Sequence, residues 1–426
     1  MTDYQVIIVG GRPAGSTLAA RLGEVGLRVL LLERAPMPSP PGASCPIIYS
    51  PTMRMLDEIG ADEHAYARAT PKIRRMVTDS DGMEGSIPIP MGYGRDYAYA
   101  LDRSRFDYAL FENALRFPTV EGRIGTAVVD VIQEQAAVTG VIVKNADGTQ
   151  ERLSADLVIG ADGRFSTVAR KVGATERDER DKYPASIYYA YWKDAPPYDD
   201  HGPAAVAGGP GYGYGYLMMD SADDTVVVAF EGQSALIDPD GGKVEAFYRH
   251  LIAQNPSVAR RLRDATMVTK VHGMKQIGNL YRQAGGTGWA LVGDAYHQKD
   301  PIDGQGIYDA LTTAKLLADE IGAYFRGEKL WAEAVISYDQ QARRATFAMY
   351  ESTIERSRSS LYAQSPAWVK PLFRWVISDP LAQEKLGMML TRQISPNQVM
   401  SVPLILGILM RGPLRDLSHL LEKAAR

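Results

Sequence analysis

Residues Tyr4-Gln5-Val6-Ile7-Ile8-Val9-Gly10-Gly11-Arg12-Pro13-Ala14-Gly15 carry an unbroken apolar run into a cluster of glycines. A run this uniform suits a strand buried on both faces rather than one with a solvated side. Beyond the glycines the pattern predicts a helix from about Ser16 to Val25, stopped at Gly26. A second buried strand follows over Leu27-Arg28-Val29-Leu30-Leu31-Leu32-Glu33. Strand, glycine turn, helix and strand make half of a doubly wound parallel sheet, so the fold class is α/β.

A turn of this kind can hold a dinucleotide. It needs a tight bend, backbone close to a pyrophosphate, and a helix whose first N–H groups face the phosphates. Gly10, Gly11 and Gly15 suit these demands, with Ala14 in the same turn and Pro13 where its missing N–H costs little. Arg12 replaces the middle glycine of G-x-G-x-x-G, which leaves two readings open: Arg12 beside the phosphates, or a merely structural turn. Glu33 ends the second strand, where a carboxylate can accept from an adenosine ribose and favours a 2′-hydroxyl over a 2′-phosphate.

Working outward, Pro36–Pro41 is a loop, and helices are predicted over Pro51–Ile59 and Ser104–Leu115. Asp79–Tyr99 looks extended, and Val128–Ile132 and Val138–Val143 are short strands. Leu157–Gly160 is another buried strand, running into Ala161-Asp162-Gly163. Glu176–Lys182 is a charge run expected to be a solvated loop. Short strands then dominate to about Met274, among them Ser186–Trp192, Gly213–Met219 and Thr225–Phe230, which suggests an inserted antiparallel sheet. Trp289–Asp294 returns to the buried-strand pattern, a helix runs from about Gly306 to Ile321, and the rest is mostly helical.

Composition narrows the function. The 426 residues allow two or three domains at about 150 residues each. A net charge of −4 carries no basic excess, so no nucleic-acid partner is expected. Cys45 is the single cysteine and the six histidines are scattered, which predicts neither an intrachain disulfide nor a metal site. With a strand pattern starting at Tyr4, no secretory leader is expected, and a cytoplasmic location fits. Val399–Met410, the longest apolar stretch, is too short to span a bilayer; it is read as a core helix, a channel wall or a membrane-surface patch, in that order.

Two further strings decide more. Ala155–Arg170 reads ADLVIGADGRFSTVAR, and Gly288–Leu317 reads GWALVGDAYHQKDPIDGQGIYDALTTAKLL. In this order after a GGxPAG-type turn, they resemble the FAD-dependent monooxygenases of the p-hydroxybenzoate hydroxylase family. The resemblance implies a Rossmann-like FAD-binding domain made of residues 1–75, 98–174 and 275–345. It implies a β-sheet substrate domain of 76–97 and 175–274, followed by a helical region of 346–426.

It also implies site residues. Asp294, at a strand tip, is expected to accept from a ribityl hydroxyl of FAD, the alternative being a helix cap. Pro301 lies beside the reactive edge of the flavin, and Gly304, Gly306 and Ile307 bring backbone and a helix N-terminus against the ring. Asp162 and Gly163 resemble a fingerprint that touches FAD and NAD(P)H, the alternative being an ordinary Asp-Gly turn. Arg103 matches a position that contacts FAD, with Arg105 as runner-up, and Val128 is a backbone contact to adenine.

No second G-x-G-x-x-G exists, so NAD(P)H is expected to visit the FAD site as a co-substrate. The implied activity is hydroxylation or epoxidation of an apolar, aromatic or polycyclic small molecule with NAD(P)H and O2, through a flavin C4a-hydroperoxide. No catalytic base is identified; the candidates are His297, Pro301 and Tyr214. Tyr212, Tyr214 and Tyr216 alternate, and would share one strand face as either an aromatic wall at the flavin or a packed sheet face. A reductase of isoprenoid C=C bonds, similar to geranylgeranyl reductases, is the rival activity, and a flavin-binding sensor the rival of another class. A halogenase ranks lower, because W-x-W-x-I-P is absent.

Overall fold

A computed structural model describes residues 2–41, 44–80, 83–239, 242–364, 366 and 369–424. The apolar runs become strands β1 (Tyr4–Val9), β2 (Val29–Glu33), β3 (Val120–Ile124), β4 (Gln150–Gly160) and β5 (Trp289–Leu291). They lie parallel in the order β5-β4-β1-β2-β3, with Gly285–Gly286 antiparallel on the β5 edge. Val6 pairs with Leu157 on one side and Val29 on the other, so β1 is central and its aliphatic residues are sealed from water. Helix α1 (Pro13–Glu24) packs between α2 (Arg103–Ala114) and α3 (Gly306–Phe325), and α4 (Trp331–Ser357) covers α3. The α1 helix starts at Pro13, three residues earlier than the sequence suggests, because proline is already suited to a first helical turn.

A second sheet runs Thr266–Met267, Ala185–Lys193, Val226–Gln233, Tyr214–Asp220, Ala205–Tyr212, Arg75–Ser80, Met83–Pro88. It is antiparallel except where Ala205–Tyr212 runs beside Arg75–Ser80, and His272–Ile277 also pairs with Ala185–Lys193. Its two faces differ. Tyr188, Ala190, Trp192 and Phe230 pack under the helix Val244–Gln254, whose Tyr248 hydroxyl donates to the Val228 carbonyl at 2.9 Å. Ile187, Tyr189, Val227 and Ala229 face Ile47, Tyr49 and Ala98 of the first layer.

Several local expectations are corrected. Val244–Gln254 and Pro256–Arg261 are helices inside the stretch read as short strands. The tyrosine alternation is broken by a hairpin: Gly213, at φ +85°, reverses the chain, so Tyr212 and Tyr214 pair across two strands instead of sharing one. Glu176–Arg177 forms a short strand against Leu280–Arg282, and Asp178 accepts from Arg343 at 3.0 Å, so the charge run is anchored.

At the C-terminus, helix α5 (Val402–Ala424) buries Leu404 and Ile408 against Ala382, while Val402, Leu406 and Met410 stay exposed. The apolar stretch is therefore half a core helix. No helix among the described residues is long and apolar enough to cross a membrane.

Candidate active site

The tips of β1, β4 and β5 open into one cleft of about 400 Å³. At the first tip Gly10 has φ +108°, and a Cβ there would lie 2.4 Å from the Ala161 carbonyl oxygen, so only glycine fits. A Cβ on Gly15 would fall 1.8 Å from the Gly10 oxygen, which is how α1 comes so near the turn. Arg12 has extended backbone (φ −93°, ψ −167°), a conformation open to any residue. Its guanidinium reaches Asp107 at 2.6 Å and Ser39, which explains why the missing glycine does no harm. Glu33 is buried; its Oε2 accepts from the Gly11 N–H at 3.0 Å and its Oε1 from the Ala35 N–H at 2.9 Å. Carboxylate and turn thus fix each other.

At the second tip both oxygens of Asp162 are used. Oδ1 accepts from Ser166 Oγ at 2.5 Å, and Oδ2 from the Thr167 N–H at 2.6 Å and the Val168 N–H at 3.3 Å. Burial nonetheless pushes its carboxyl above the usual range. Gly163 follows at φ +76°. At the third tip the Asp294 side chain is 43% exposed, 3.7 Å from Arg164, and faces the cleft. Pro301–Asp303 makes a single 3-10 turn, Gly304 is left-handed at φ +66°, and α3 begins at Gly306 with no side-chain cap from Gln305. A Cβ on Gly306 would meet no atom within 4 Å.

Beneath this floor lies an ionic network. Lys299 is buried and donates to Asp303 at 2.6 Å, with Asp309 at 3.0 Å. Arg392, from beyond α4, meets Asp309 at 2.9 Å and Gln305 Oε1 at 3.0 Å, and lies 4.7 Å from the centre of the Tyr308 ring. Burial alone would raise the Asp309 carboxyl, but Lys299 and Arg392 outweigh it and hold the group well below the usual range. His297 is buried, stacked 4.1 Å from Tyr281, and neither ring nitrogen has a hydrogen-bond partner among the described residues.

Most residues expected at the site converge. Gly10, Arg12, Ala14, Glu33, Arg103 and Val128 line the cleft on one side. Asp162, Gly163 and Asp294 line the other, with Pro301, Gly304, Gly306, Ile307 and His297 along the floor. Gly11 and Gly15 sit behind, where they pack the turn; a Cβ on Gly11 would lie 2.7 Å from Phe111. Arg103 donates to Asp107 and Ser44, whereas Arg105 turns away to Asp102 and Asp223.

Tyr214 is a correction. Its ring tilts against Phe230 at 6.4 Å and its hydroxyl reaches Gln254 and Asn255, on the sheet face away from the cleft. The face that does meet the first layer carries Tyr189 and Tyr191. Sequence reading also passed over Arg164, Lys299, Asp300 and Asp309. The last three stand inside the quoted third motif, but nothing in a single sequence separates a buried ion pair from a surface one.

Residues 3–353 match the family described as FAD binding domain. The chain belongs to that family. As a member of the FAD binding domain family it is an FAD-dependent oxidoreductase, monooxygenase-like, as the three motifs imply. Among curated relatives it is similar to the digeranylgeranylglycerophospholipid reductase of Methanospirillum hungatei, 27% identical over 343 residues that cover 80% of this chain and 81% of that one. Among solved structures it is similar to the flavin-dependent brominase Bmp2 (TM-score 0.78, 19% identity, 97% of this chain and 99% of that chain). It is also similar to p-nitrophenol 4-monooxygenase PnpA from Pseudomonas putida (TM-score 0.74, 19% identity, 91% and 98%). At those identities the likeness to the two structures is one of fold.

The cleft suits the family's coenzyme. Its volume of about 400 Å³ lies within the ordinary range for small-molecule sites. The missing Gly306 side chain leaves room for a flat ring, and the uncapped start of α3 offers N–H groups and a positive dipole end to it.

Proposed function

We propose that the protein is an FAD-dependent monooxygenase that takes NAD(P)H and O2 and hydroxylates or epoxidises an apolar, aromatic or polycyclic small molecule. The observation that carries this reading is the meeting of three glycine-bearing strand tips around one cleft whose floor is an uncapped helix start. FAD, when bound, would supply the redox chemistry that side chains lack. Residues 1–75, 98–174 and 275–345 form the coenzyme domain in this proposal, 76–97 and 175–274 the substrate domain, and 346–426 a helical cover.

The chain's own groups bind, orient and exclude water. Glu33 and Arg12 hold the adenosine side of the turn, and half-exposed Asp294 accepts from the ribityl chain. Pro301, Gly304 and Gly306 would hold backbone against the ring, and the α3 dipole would favour negative charge on it. The substrate lies against Met274 and Ile277, which line the cleft, on the sheet face that also carries Tyr189 and Tyr191. Those four side chains are uncharged, which suits an apolar aromatic guest, and the Glu231 carboxyl stands on the same sheet face.

The curated similarity favours one second reading, reduction of an isoprenoid C=C bond. Purified, FAD-loaded protein separates the two. Substrate-stimulated NAD(P)H oxidation that needs O2 and yields an oxygenated product supports the monooxygenase. Oxygen-independent consumption with a saturated product replaces it with the reductase, and no oxidation with any ligand leaves a binding protein.

A further inference from the structure

Among the described residues, Oδ2 of Asp300 and Oε1 of Glu231 are enclosed carboxyl oxygens near the cleft with no hydrogen-bond donor, and unlike Asp309 Oδ2, with Lys299 at 3.0 Å, neither has a cation beside it. Asp300 is fully buried and lines the cleft next to Pro301. Its Oδ1 accepts from the Ile302 N–H at 2.9 Å, which fixes the carboxyl in place. Glu231 belongs to the other layer, on the strand Val226–Gln233 opposite Ile187, with Val227 and Ala229 on the same face. It lies within hydrogen-bonding reach of Asp300.

Two ionised carboxylates in this position would repel with little screening, and each would bury an acceptor unpaired. One proton between them removes both penalties. Burial first, and then the charge of Asp300, push the Glu231 carboxyl well above its ordinary range. The neighbouring groups offer no other solution. Lys299 is committed to Asp303 and Asp309, and Asp303 adds negative potential of its own. Arg103 serves Asp107. The Cys45 thiol, pushed up to about 11 by burial, is neutral at neutral pH, and the Tyr362 hydroxyl donates to the Pro184 carbonyl at 2.6 Å.

We propose that Glu231 and Asp300 share one proton and that Asp300 delivers it to the reaction in the cleft. The inference rests on reading the cleft as the FAD and NAD(P)H site. Hydroxylation consumes one proton per turnover: substrate C–H, O2, NAD(P)H and H+ give C–OH, water and NAD(P)+. Here the Oδ2–H bond of Asp300 breaks and the proton joins the oxygen atom that leaves as water. In the rival reaction it forms the second C–H bond of the saturated product. Either way the pair is left as two carboxylates, whose repulsion draws a proton back from solvent. Asp300 is the catalytic residue and Glu231 the positioning residue that keeps its proton in place.

The first test needs neither coenzyme nor activity. Infrared spectra of the whole protein near neutral pH should carry the C=O stretch of a protonated carboxyl, lost in both Glu231→Gln and Asp300→Asn. The second follows turnover of FAD-loaded protein against pH. Wild type should lose kcat as pH rises through the value of the pair. In Glu231→Gln the proton can no longer be held between two carboxyl groups, and the alkaline limb should move about 1–3 pH units lower.

Asp300→Asn should keep its flavin absorbance and lose about 10²–10⁴-fold in kcat. Absence of the infrared band, or an alkaline limb that Glu231→Gln leaves in place, overturns the proposal. Protein that takes up no FAD overturns the reading of the cleft and the delivery step with it, while the band still reports the shared proton separately.

Discussion

At the scale of single residues, the cleft separates side chains that hold the protein together from those left to hold something else. Gly306 belongs to the second kind, since a Cβ there meets nothing of the protein itself. Gly306→Val should therefore fold normally and purify colourless, checked by the ratio of flavin to protein absorbance. Asp294, half exposed and 3.7 Å from its nearest cation, contributes little to the fold. Asp294→Ala should weaken FAD binding measured by fluorescence titration, with Tm shifted by less than the change expected for about 0.5 kcal/mol.

Asp309 is of the first kind. Its lowered carboxyl value means that its stabilising contribution is present above the ordinary carboxylate range and is lost only as pH falls through the lower, folded value. Asp309→Asn leaves Lys299 and Arg392 short of a buried counter-charge and should cost about 3–5 kcal/mol. In denaturant titrations that gap should stay constant above about pH 5 and narrow in strong acid. Sequence reading pointed to Asp294 and Gly306 because their spacing in a motif is local. It missed Asp309 because the partner that defines it, Arg392, lies far along the chain.

Among elements, the parallel sheet was legible and the antiparallel one only partly so. Strands buried on both faces announce themselves as unbroken aliphatic runs, as β1 and β2 do. A strand in the second sheet has two faces with different neighbours, and alternation alone does not say which face meets the site. Tyr214 illustrates this. The turn at Gly213 puts it under the helix Val244–Gln254, which was itself hidden in a stretch of strand-like residues. Tyr214→Phe should thus leave kcat and KM unchanged within about twofold, losing only hydroxyl contacts to Gln254 and Asn255. Tyr191→Ala, on the opposite face, should raise KM for the substrate about tenfold or more through lost ring contact, read in steady-state kinetics.

Across the whole molecule, three loops far apart in sequence reach one place because their strands are neighbours in the order β5-β4-β1-β2-β3. That convergence was readable from motifs. The contribution of the last part of the chain was not, since Arg392 stands in no pattern that a lone sequence exposes. Yet Arg392 grips Gln305 and Asp309, and Gln305 in turn donates to the Leu390 carbonyl at 2.9 Å. The first turn of α3 is thereby fastened from its outer side by a segment that never enters the cleft.

Linkage makes such a fastening work in both directions. Whatever steadies the first turn of α3 from within must also steady the segment that clasps it from without. Deuterium uptake at the amides of residues 380–392 should slow when FAD is added and quicken again in Arg392→Ala. The carboxy-terminal helices would then register a full or an empty cleft on the protein's exterior, where a protease or a partner could sense it.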